Sequence, residues 1–297
     1  MLPSPLSPPP ATSPPLLSPK QLAQVIGVSE SSLKRWIDNG QLTSTRTQGG
    51  HRRVPLAEAL RFIRAHGHTV HDPGPLGLSL VAADGGLSFT DRLYRALTLA
   101  DWSSARTLLV SAYAAGQTIP ELCEGPVRSA MERIGDLWRH DESGIAIEHQ
   151  ATDTCLQALS VLRSFLSEPP AEAPLAVGGA PANDPYLLPS LTAALTFTEI
   201  GYRTANLGPD VPLDSLRNAA IRQRPRLVWL VVSTQDAVAA LRQPLLRFAD
   251  ELAVQGASLL VGGRTANEIG LEPRPNLLRS RSLSEAAAFA RGLLNSR

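Results

Sequence analysis

Cysteine is almost absent from this sequence, since the 297 residues contain only Cys123 and Cys155. Two cysteines are too few for a disulfide framework, and they lack the spacing of a metal site. Long apolar runs are missing too, and the longest candidate, residues 227–232, is far shorter than the roughly 18 residues of a membrane helix. The first residues are proline and serine without the basic start of a secretory signal. We therefore expect a cytoplasmic protein with no membrane partner.

The near-neutral charge of the whole chain conceals a basic segment. The net charge is +1 overall, but residues 18–67 hold eight lysines and arginines against three acidic residues. That segment therefore carries +5 and the remainder −4. A compact basic module on an acidic body is typical of nucleic-acid binding, although a solvated basic face would give the same count.

Composition divides the chain into five segments. Residues 1–17 are rich in proline and serine and predict a disordered tail. A small basic domain follows at 18–67, and a Gly- and Pro-containing linker at 68–87. Residues 88–168 have helical periodicity throughout, whereas 172–297 alternate between short apolar runs and helical stretches.

The basic segment predicts a helix-turn-helix. Ser18 and Ser29 are N-cap residues for two short helices, and Gly27 lies in the turn between them. The second helix is the expected recognition helix, with Trp36 on its inward face as a core residue. Four of its residues are expected to face the major groove of a double-stranded DNA operator: Ser31, Ser32, Lys34 and Arg35.

A short hairpin, or wing, is predicted after the recognition helix. Glycines at its tip would let backbone and guanidinium groups approach DNA phosphates closely. The candidate DNA-binding residues of the wing are Arg46, Thr47, Gly49, Gly50, His51, Arg52 and Arg53. For His51 we favour a role in fixing the wing over a role in reading a base.

The first fifty residues of the folded chain resemble a known family of regulators. The run from Leu33 to Trp36, and the Arg-Thr-x-Gly-Gly-His-Arg pattern from Arg46 to Arg52, are similar to the N-terminal domain of MerR-type and excisionase-like regulators. Here a linker follows the domain in place of the long dimerisation helix that many of those proteins have. The resemblance implies sequence-specific DNA binding and transcription regulation.

The helical segment predicts a four-helix bundle, because apolar residues recur at helical spacing in four stretches. We expect Trp138 to end the third helix, and Glu148 and His149 to begin the fourth at the same end of the bundle. His149 is placed on an inward stripe together with Cys155. Tryptophan and histidine in such places are usually core residues.

The spacing Trp-x9-Glu-His, from Trp138 to His149, resembles the helical cap of light-responsive, cobalamin-dependent MerR-type repressors. The resemblance implies that Trp138, Glu148 and His149 cover the upper face of a corrin. It also implies that His149 can coordinate cobalt after light has broken the cobalt–carbon bond of adenosylcobalamin. Imidazole is a good donor to transition metals.

The last segment predicts a doubly wound parallel α/β sheet of the Rossmann or flavodoxin type, because strands and helices alternate. Ligands of such sheets bind at the carboxyl ends of the strands. Together with the bundle, this segment resembles a cobalamin-binding domain. The candidate cofactor-binding residues at this edge are Asp184, Tyr186, Ser233, Thr234, Gly262 and Gly263.

One position departs from the cobalamin-binding pattern. Such domains carry a lower-ligand histidine where this chain has Tyr186, and phenol is a poorer cobalt donor than imidazole. Three readings stay open: cobalamin held without that histidine, another tetrapyrrole such as biliverdin or haem, or no ligand. A bilin could be anchored by Cys155.

The sequence as a whole predicts a transcriptional regulator and not an enzyme. We expect a repressor with cobalamin or light as its input, which acts as a homodimer or homotetramer. The competing class is a corrinoid methyltransferase subunit, which has the same bundle and sheet. The basic module argues against that class, and we find no nucleophile–base pair in the sequence.

Overall fold

The computed structural model describes residues 16–76, 86–137, 143–236 and 238–296. The chain divides into two compact units, residues 1–78 and residues 79–297. The predicted disordered tail at 1–17 lies almost wholly outside the described residues. Each unit is a fold of its own.

The N-terminal unit is a winged helix-turn-helix. Ser18 and Gln21 form a reciprocal capping box at the start of the first helix, and Gly27 ends it in the left-handed conformation. Three strands form a small antiparallel sheet in the order β1-β3-β2. The elements are β1 (Leu16–Leu17), α1 (Pro19–Ile26), α2 (Glu30–Asp38), β2 (Thr45–Arg46), β3 (Arg52–Pro55) and α3 (Leu56–Ala65).

The first part of the predicted linker is packed against the helix-turn-helix. The backbone N–H of His71 donates to the carbonyl of Val25 at 2.7 Å, and Gln24 donates to the carboxylate of Asp72 at 2.6 Å. A short 3-10 turn follows and buries Leu76. Residues 68–76 are thus part of the N-terminal unit, whereas residues 77–85 lie outside the described residues.

The second unit begins with a helical bundle. Its elements are α4 (Phe89–Thr98), α5 (Trp102–Ala114), α6 (Ile119–Leu122), a π-helical turn (Cys123–Val127), α7 (Arg128–Leu137) and α8 (Ser143–Arg163). The third bundle helix is therefore three consecutive helical segments. The helix α8 packs on α4, α5 and α7, and buries Cys155, Leu159 and Leu162.

Two carboxylates join the bundle to the α/β part of the same unit. Glu199 of the sheet domain accepts the N–H of Ile119, at the start of α6, at 2.9 Å. In the opposite direction, Glu124 from the π-helical turn accepts the N–H groups of Leu283 and Ser284, at the start of the last helix. Carboxylates at helix N-termini satisfy orphan donors and interact favourably with the helix dipole.

The α/β part is a five-stranded parallel sheet in the order β5-β4-β6-β7-β8, with helices on both faces. The chain runs outward from β4 in both directions, which makes the crevice between β4 and β6 the topological switch point. The strands are β4 (Leu175–Gly179), β5 (Arg203–Asn206), β6 (Leu227–Val231), β7 (Ser258–Gly262) and β8 (Leu277–Arg279). The helices are α9 (Leu187–Ile200), α10 (Leu213–Gln223), α11 (Val238–Val254) and α12 (Leu283–Asn295).

The predicted fold class is confirmed: a winged helix-turn-helix, a helical bundle and a doubly wound parallel sheet follow one another in the chain. The longest apolar run, residues 227–232, coincides with β6 to within one residue. Within the described ranges, no helix combines the length and apolarity that a membrane span requires.

One side of the sheet depends on a glycine opposite a tryptophan. Gly178 of β4 is the register partner of Trp229 of β6, and a Cβ added to Gly178 would overlap the indole and the carbonyl oxygen of Trp229. Trp229 is fully buried against Phe197, with ring centroids 5.4 Å apart.

The Gly178→Ala variant should lower the free energy of unfolding by about 1–3 kcal/mol, because the methyl group overpacks this core. Gly292→Ala is a control, since this position in α12 has open space around it and alanine favours helix. It should raise stability by about 0.5–1 kcal/mol. Urea unfolding followed by circular dichroism measures both effects, and an unchanged Gly178→Ala variant would contradict the packing described.

Candidate functional site

The recognition helix α2 begins with a cluster of serine hydroxyls. Ser29 is the N-cap, and its Oγ accepts the N–H of Ser32 at 3.1 Å. The same oxygen lies 2.8 Å from Oγ of Ser31 and 2.9 Å from Oγ of Ser32. The two predicted base-contacting serines therefore lie at the N-terminal end of the helix, the end that reads base edges in this class of domain.

The two predicted cations of α2 differ in their partners. Lys34 forms an ion pair with Glu30, one turn before it, with Nζ and Oε1 2.8 Å apart. Arg35 is exposed, and no carboxylate among the described residues pairs with it. Exposed pairs contribute at most about 1 kcal/mol, so Lys34 can exchange Glu30 for a phosphate at little cost.

The wing is a tight hairpin whose tip is held by backbone hydrogen bonds. The N–H of Thr47 donates to the carbonyl of His51 at 2.9 Å, and the N–H of His51 donates to Oγ1 of Thr47 at 3.2 Å. Gly50 has φ +76°, a conformation that glycine adopts without strain. His51 thus fixes the wing through hydrogen bonds of its backbone and not of its side chain. Gly49 lies beside the exposed His51 ring.

The three wing arginines lie in different surroundings. Arg46 is exposed on β2 and has no carboxylate partner among the described residues. Arg52 is 28% exposed and forms an ion pair with Asp38 of α2, at 2.6 Å. Arg53 is half-buried and donates to the backbone carbonyl of Arg52 at 3.2 Å.

Trp36 attaches the recognition helix to α3. Its ring centroid lies 5.1 Å from that of Phe62 and 5.4 Å from that of His68. Burial, together with the nearby His66, lowers the pKa of His68, which favours a neutral ring in this aromatic cluster. These contacts agree with the prediction that Trp36 is a packing residue.

The helix α8 carries Glu148 and His149, but not in the predicted positions. The helix begins at Ser143, so both residues lie in its second turn and not at its start. The side chain of His149 is 76% exposed, and the prediction that it lies on the inward stripe with Cys155 is wrong. His149 and Cys155 are six residues apart, so their side chains point in directions about 120° apart around a helix of 3.6 residues per turn.

Glu148 is held in place by its neighbours on the helix. Its Oε1 accepts the hydroxyl of Thr152 at 3.0 Å, and its Oε2 lies 3.5 Å from Nε2 of His149. This leaves an imidazole and a carboxylate beside each other at the exposed surface of α8. Trp138, the third residue predicted for this cap, lies outside the described residues.

The switch point of the sheet is bridged by a buried carboxylate. Asp184, in the loop after β4, is fully buried and accepts the backbone N–H groups of Ser233, after β6, and of Tyr186. Thr234 adds a second link between these loops, from its hydroxyl to the carbonyl of Asn183 at 3.2 Å. The carboxylate of Asp184 is therefore used within the fold, and not presented to a ligand at the surface.

Apolar side chains are exposed around this bridge. Tyr186 and Leu187, at the start of α9, are each 46% exposed, and Leu207, in the loop after β5, is 38% exposed. Arg264 lies over the Tyr186 ring, with its guanidinium carbon 5.7 Å from the centroid, and donates to the carbonyl of Ser233 at 3.1 Å. Exposed apolar groups with a few fixed polar ones are typical of a surface that binds a large ligand.

The paired glycines at the end of β7, Gly262 in the strand and Gly263 after it, have different surroundings. A Cβ on Gly263 would meet the backbone of Val232, so the close packing of two loops requires glycine there. The nearest atoms to a Cβ on Gly262 are 3.7 Å away, in ordinary contact. Gly263 is thus explained by the fold alone.

These residues fit the upper face of a cobalamin better than the lower one. His149 is an exposed nitrogen donor, whereas Tyr186 offers phenol where the family pattern has imidazole. Within the described ranges, no three His, Cys, Asp or Glu side chains cluster as a metal site. Cys155 is fully buried, and burial raises the pKa of its thiol to about 12, so anchoring a bilin there would require the bundle to open.

Two family models match the chain, one in each unit. A helix-turn-helix domain matches residues 16–67, and a B12 binding domain matches residues 90–163, which is the bundle. The chain thus combines a helix-turn-helix domain with a B12-binding domain. A comparison with curated proteins finds no match.

Three solved structures are similar to this chain, each at under 20% identity. The monomethylamine corrinoid protein of Methanosarcina barkeri is 18% identical and has a TM-score of 0.52, covering 69% of this chain and 98% of its own. A methanol:cobalamin methyltransferase complex of the same organism (15% identity, TM-score 0.35) covers 91% of this chain and 93% of its own. A cobalamin-binding protein of Desulfitobacterium hafniense (16%, 0.31) covers 69% and 98%. Only the first score is high enough to support the fold.

Four residues of these surfaces escape prediction from the sequence. Leu187, Leu207 and Arg264 lie around the switch point, and Asp38 holds the wing. A leucine after a strand looks like a core residue, and only the structure shows it exposed. The acidic Asp38 gave no signal, because its partner is 14 residues away in the sequence.

Proposed function

We propose that this protein is a MerR-type transcriptional regulator, acting as a repressor, whose C-terminal unit binds cobalamin and responds to it or to light. The observation that carries the proposal is the presence of a helix-turn-helix domain and a B12-binding domain in one chain. The first suits an operator, and the second a chemical input. The resemblance of Trp138, Glu148 and His149 to the light-responsive repressors supports light as part of that input.

The surface of the N-terminal unit supports DNA binding. Ser31 and Ser32 lie at the end of α2 that enters the major groove in this class. Arg35 and Arg46 are exposed cations free of carboxylate partners among the described residues. Salt-sensitive attraction to the phosphate backbone follows from such cations.

The proposed ligand would contact two groups of residues, one on α8 and one near the switch point of the sheet. Glu148 and His149 of α8 would cover the upper face of the corrin, and Tyr186, Leu187 and Leu207 offer an apolar surface to its other face. When bound, cobalamin would supply a cobalt atom and a light-sensitive cobalt–carbon bond. His149 would be the nitrogen donor that this chain offers to the metal.

The Tyr186 position favours a second candidate ligand. A tetrapyrrole that needs no lower imidazole, such as biliverdin or haem, would suit the same apolar surface. In either case we propose a regulatory and not an enzymatic role, since a DNA-binding head has no function in a methyl-transfer subunit. Assembly into a dimer or tetramer would let several helix-turn-helix domains bind one operator, which would raise the affinity for DNA through effective concentration.

Absorption spectra test the ligand proposal. Purified full-length protein is mixed with hydroxocobalamin, biliverdin or haemin, freed of unbound pigment and measured. We expect bound cobalamin, and the His149→Ala variant should change its spectrum and weaken its affinity roughly tenfold or more, which is about 1.4 kcal/mol. Gln150→Ala, at the next exposed position of α8, should leave both unchanged.

A gain of function completes this test. Tyr186→His restores an imidazole at the lower position and should tighten cobalamin binding. Retention of biliverdin or haemin in place of cobalamin would favour the second candidate. Wild-type protein that retains none of the three pigments would overturn the ligand proposal.

DNA binding is tested by the salt dependence of affinity for a duplex selected by the protein from a random pool. Arg46→Ala should weaken binding and reduce the slope of log K against log salt by about 1, because one phosphate contact is lost. Arg61→Ala removes the same charge from α3, where Glu58 already pairs with it at 2.7 Å. That control should leave the slope unchanged, and equal slopes for Arg46→Ala and wild type would refute a phosphate contact.

A further inference from the structure

An ion pair ties the wing to the recognition helix. Asp38 is the last residue of α2 and Arg52 is the first residue of β3, and their side chains meet at 2.6 Å. Arg52 is 28% exposed and Asp38 56% exposed. The pair is a side-chain link between these two elements, which both belong to the predicted DNA-binding surface.

Asp38 lies where a carboxylate is unfavourable on two counts. The carboxyl end of a helix carries a partial negative charge, so an acidic residue there destabilises the helix. A surface that approaches phosphates also loses attraction with each negative charge. The pairing with Arg52 is the compensation that the structure shows.

The partner strand gives a further reason for the pair. Arg46 and Arg52 are register partners in the antiparallel hairpin, so their side chains lie on the same face. Like charges directly opposite each other destabilise a strand pair. Asp38 neutralises Arg52, and thereby lets Arg46 remain beside it as an exposed cation.

We infer that Arg52 is a positioning residue: through Asp38 it fixes the wing on the recognition helix, and Arg46 is the cation of this face that contacts phosphate. The inference rests on the proposed DNA binding and refines it, since Arg52 itself was predicted to contact DNA. It divides the wing arginines by task, with Arg46 carrying charge to the duplex and Arg52 setting the geometry.

The two roles predict opposite signs for the loss of Asp38. If Arg52 contacted phosphate directly, Asp38→Asn would release it and remove a repulsive charge, and binding would tighten. If Arg52 acts through Asp38, the same variant frees the wing and binding weakens.

The experiment compares Asp38→Asn, Arg52→Gln and the double variant in the full chain, on a duplex selected by wild-type protein from a random pool. We expect each single variant to weaken binding about three- to fivefold. The double variant should be no weaker than either single one, because both remove the same interaction. The salt slope of Asp38→Asn should equal that of wild type. Glu30→Gln is the matched control: it removes an acidic residue from the same helix and should bind as tightly as wild type or tighter.

A second measurement is independent of DNA. Hydrogen exchange of the wing amides, including those of Thr47 and Gly50, should be faster in Asp38→Asn and in Arg52→Gln than in wild type. Unchanged exchange of the wing amides in both variants would overturn the inference.

The outcomes separate this inference from the proposed function. Tighter binding by Asp38→Asn, or a salt slope reduced by about 1 in Arg52→Gln alone, would overturn the positioning role while DNA binding stands. No salt-sensitive binding by the wild-type chain would overturn the proposed function and this inference together.

Discussion

The C-terminal unit depends on the buried carboxylate of Asp184. It lies at the switch point of the sheet, where the loops after β4 and β6 diverge, and accepts backbone N–H groups from both. A buried charge persists only when its hydrogen bonds are satisfied, and a buried donor left unpaired costs about 1–3 kcal/mol. The bridge therefore links the two loops that flank the crevice in which sheets of this class bind ligands.

The proposed ligand contacts are assigned to side chains near this bridge and on α8. Tyr186 and Leu187 lie at the start of α9 and Leu207 follows β5, whereas Glu148 and the exposed His149 lie on α8. The bundle itself is attached to the sheet domain by the carboxylates of Glu199 and Glu124 at helix N-termini. In the N-terminal unit the ion pairs lie at the surface, where Arg52 is paired with Asp38 and Arg46 has no carboxylate partner among the described residues.

Periodicity predicted the fold well, because each element obeys a simple local rule. Apolar runs predicted the strands, N-cap serines predicted the starts of the first two helices, and glycines predicted the tip of the wing. The site was predicted less well, because it depends on phase and on partners distant in sequence. Residues spaced three apart drift by about 60° per step around an α-helix. Two such steps separate His149 from Cys155, so His149 does not share the buried face of Cys155. The pairing of Arg52 with Asp38, and of Asp184 with the N–H of Ser233, cannot be seen in any local pattern. Gly263 looks like a ligand contact in the sequence, whereas its close packing on the backbone of Val232 explains it.

We propose that one chain couples a DNA-binding domain to a cobalamin-binding unit. Coupling is reciprocal, so a ligand that shifts DNA affinity must itself be bound differently when DNA is present. This coupling is measured as the dissociation constant for a selected duplex, with and without saturating adenosylcobalamin, in darkness and after illumination. We expect this dissociation constant to differ by at least about fivefold between two of these conditions. Identical dissociation constants in all of them, with cobalamin shown to be bound, would contradict it.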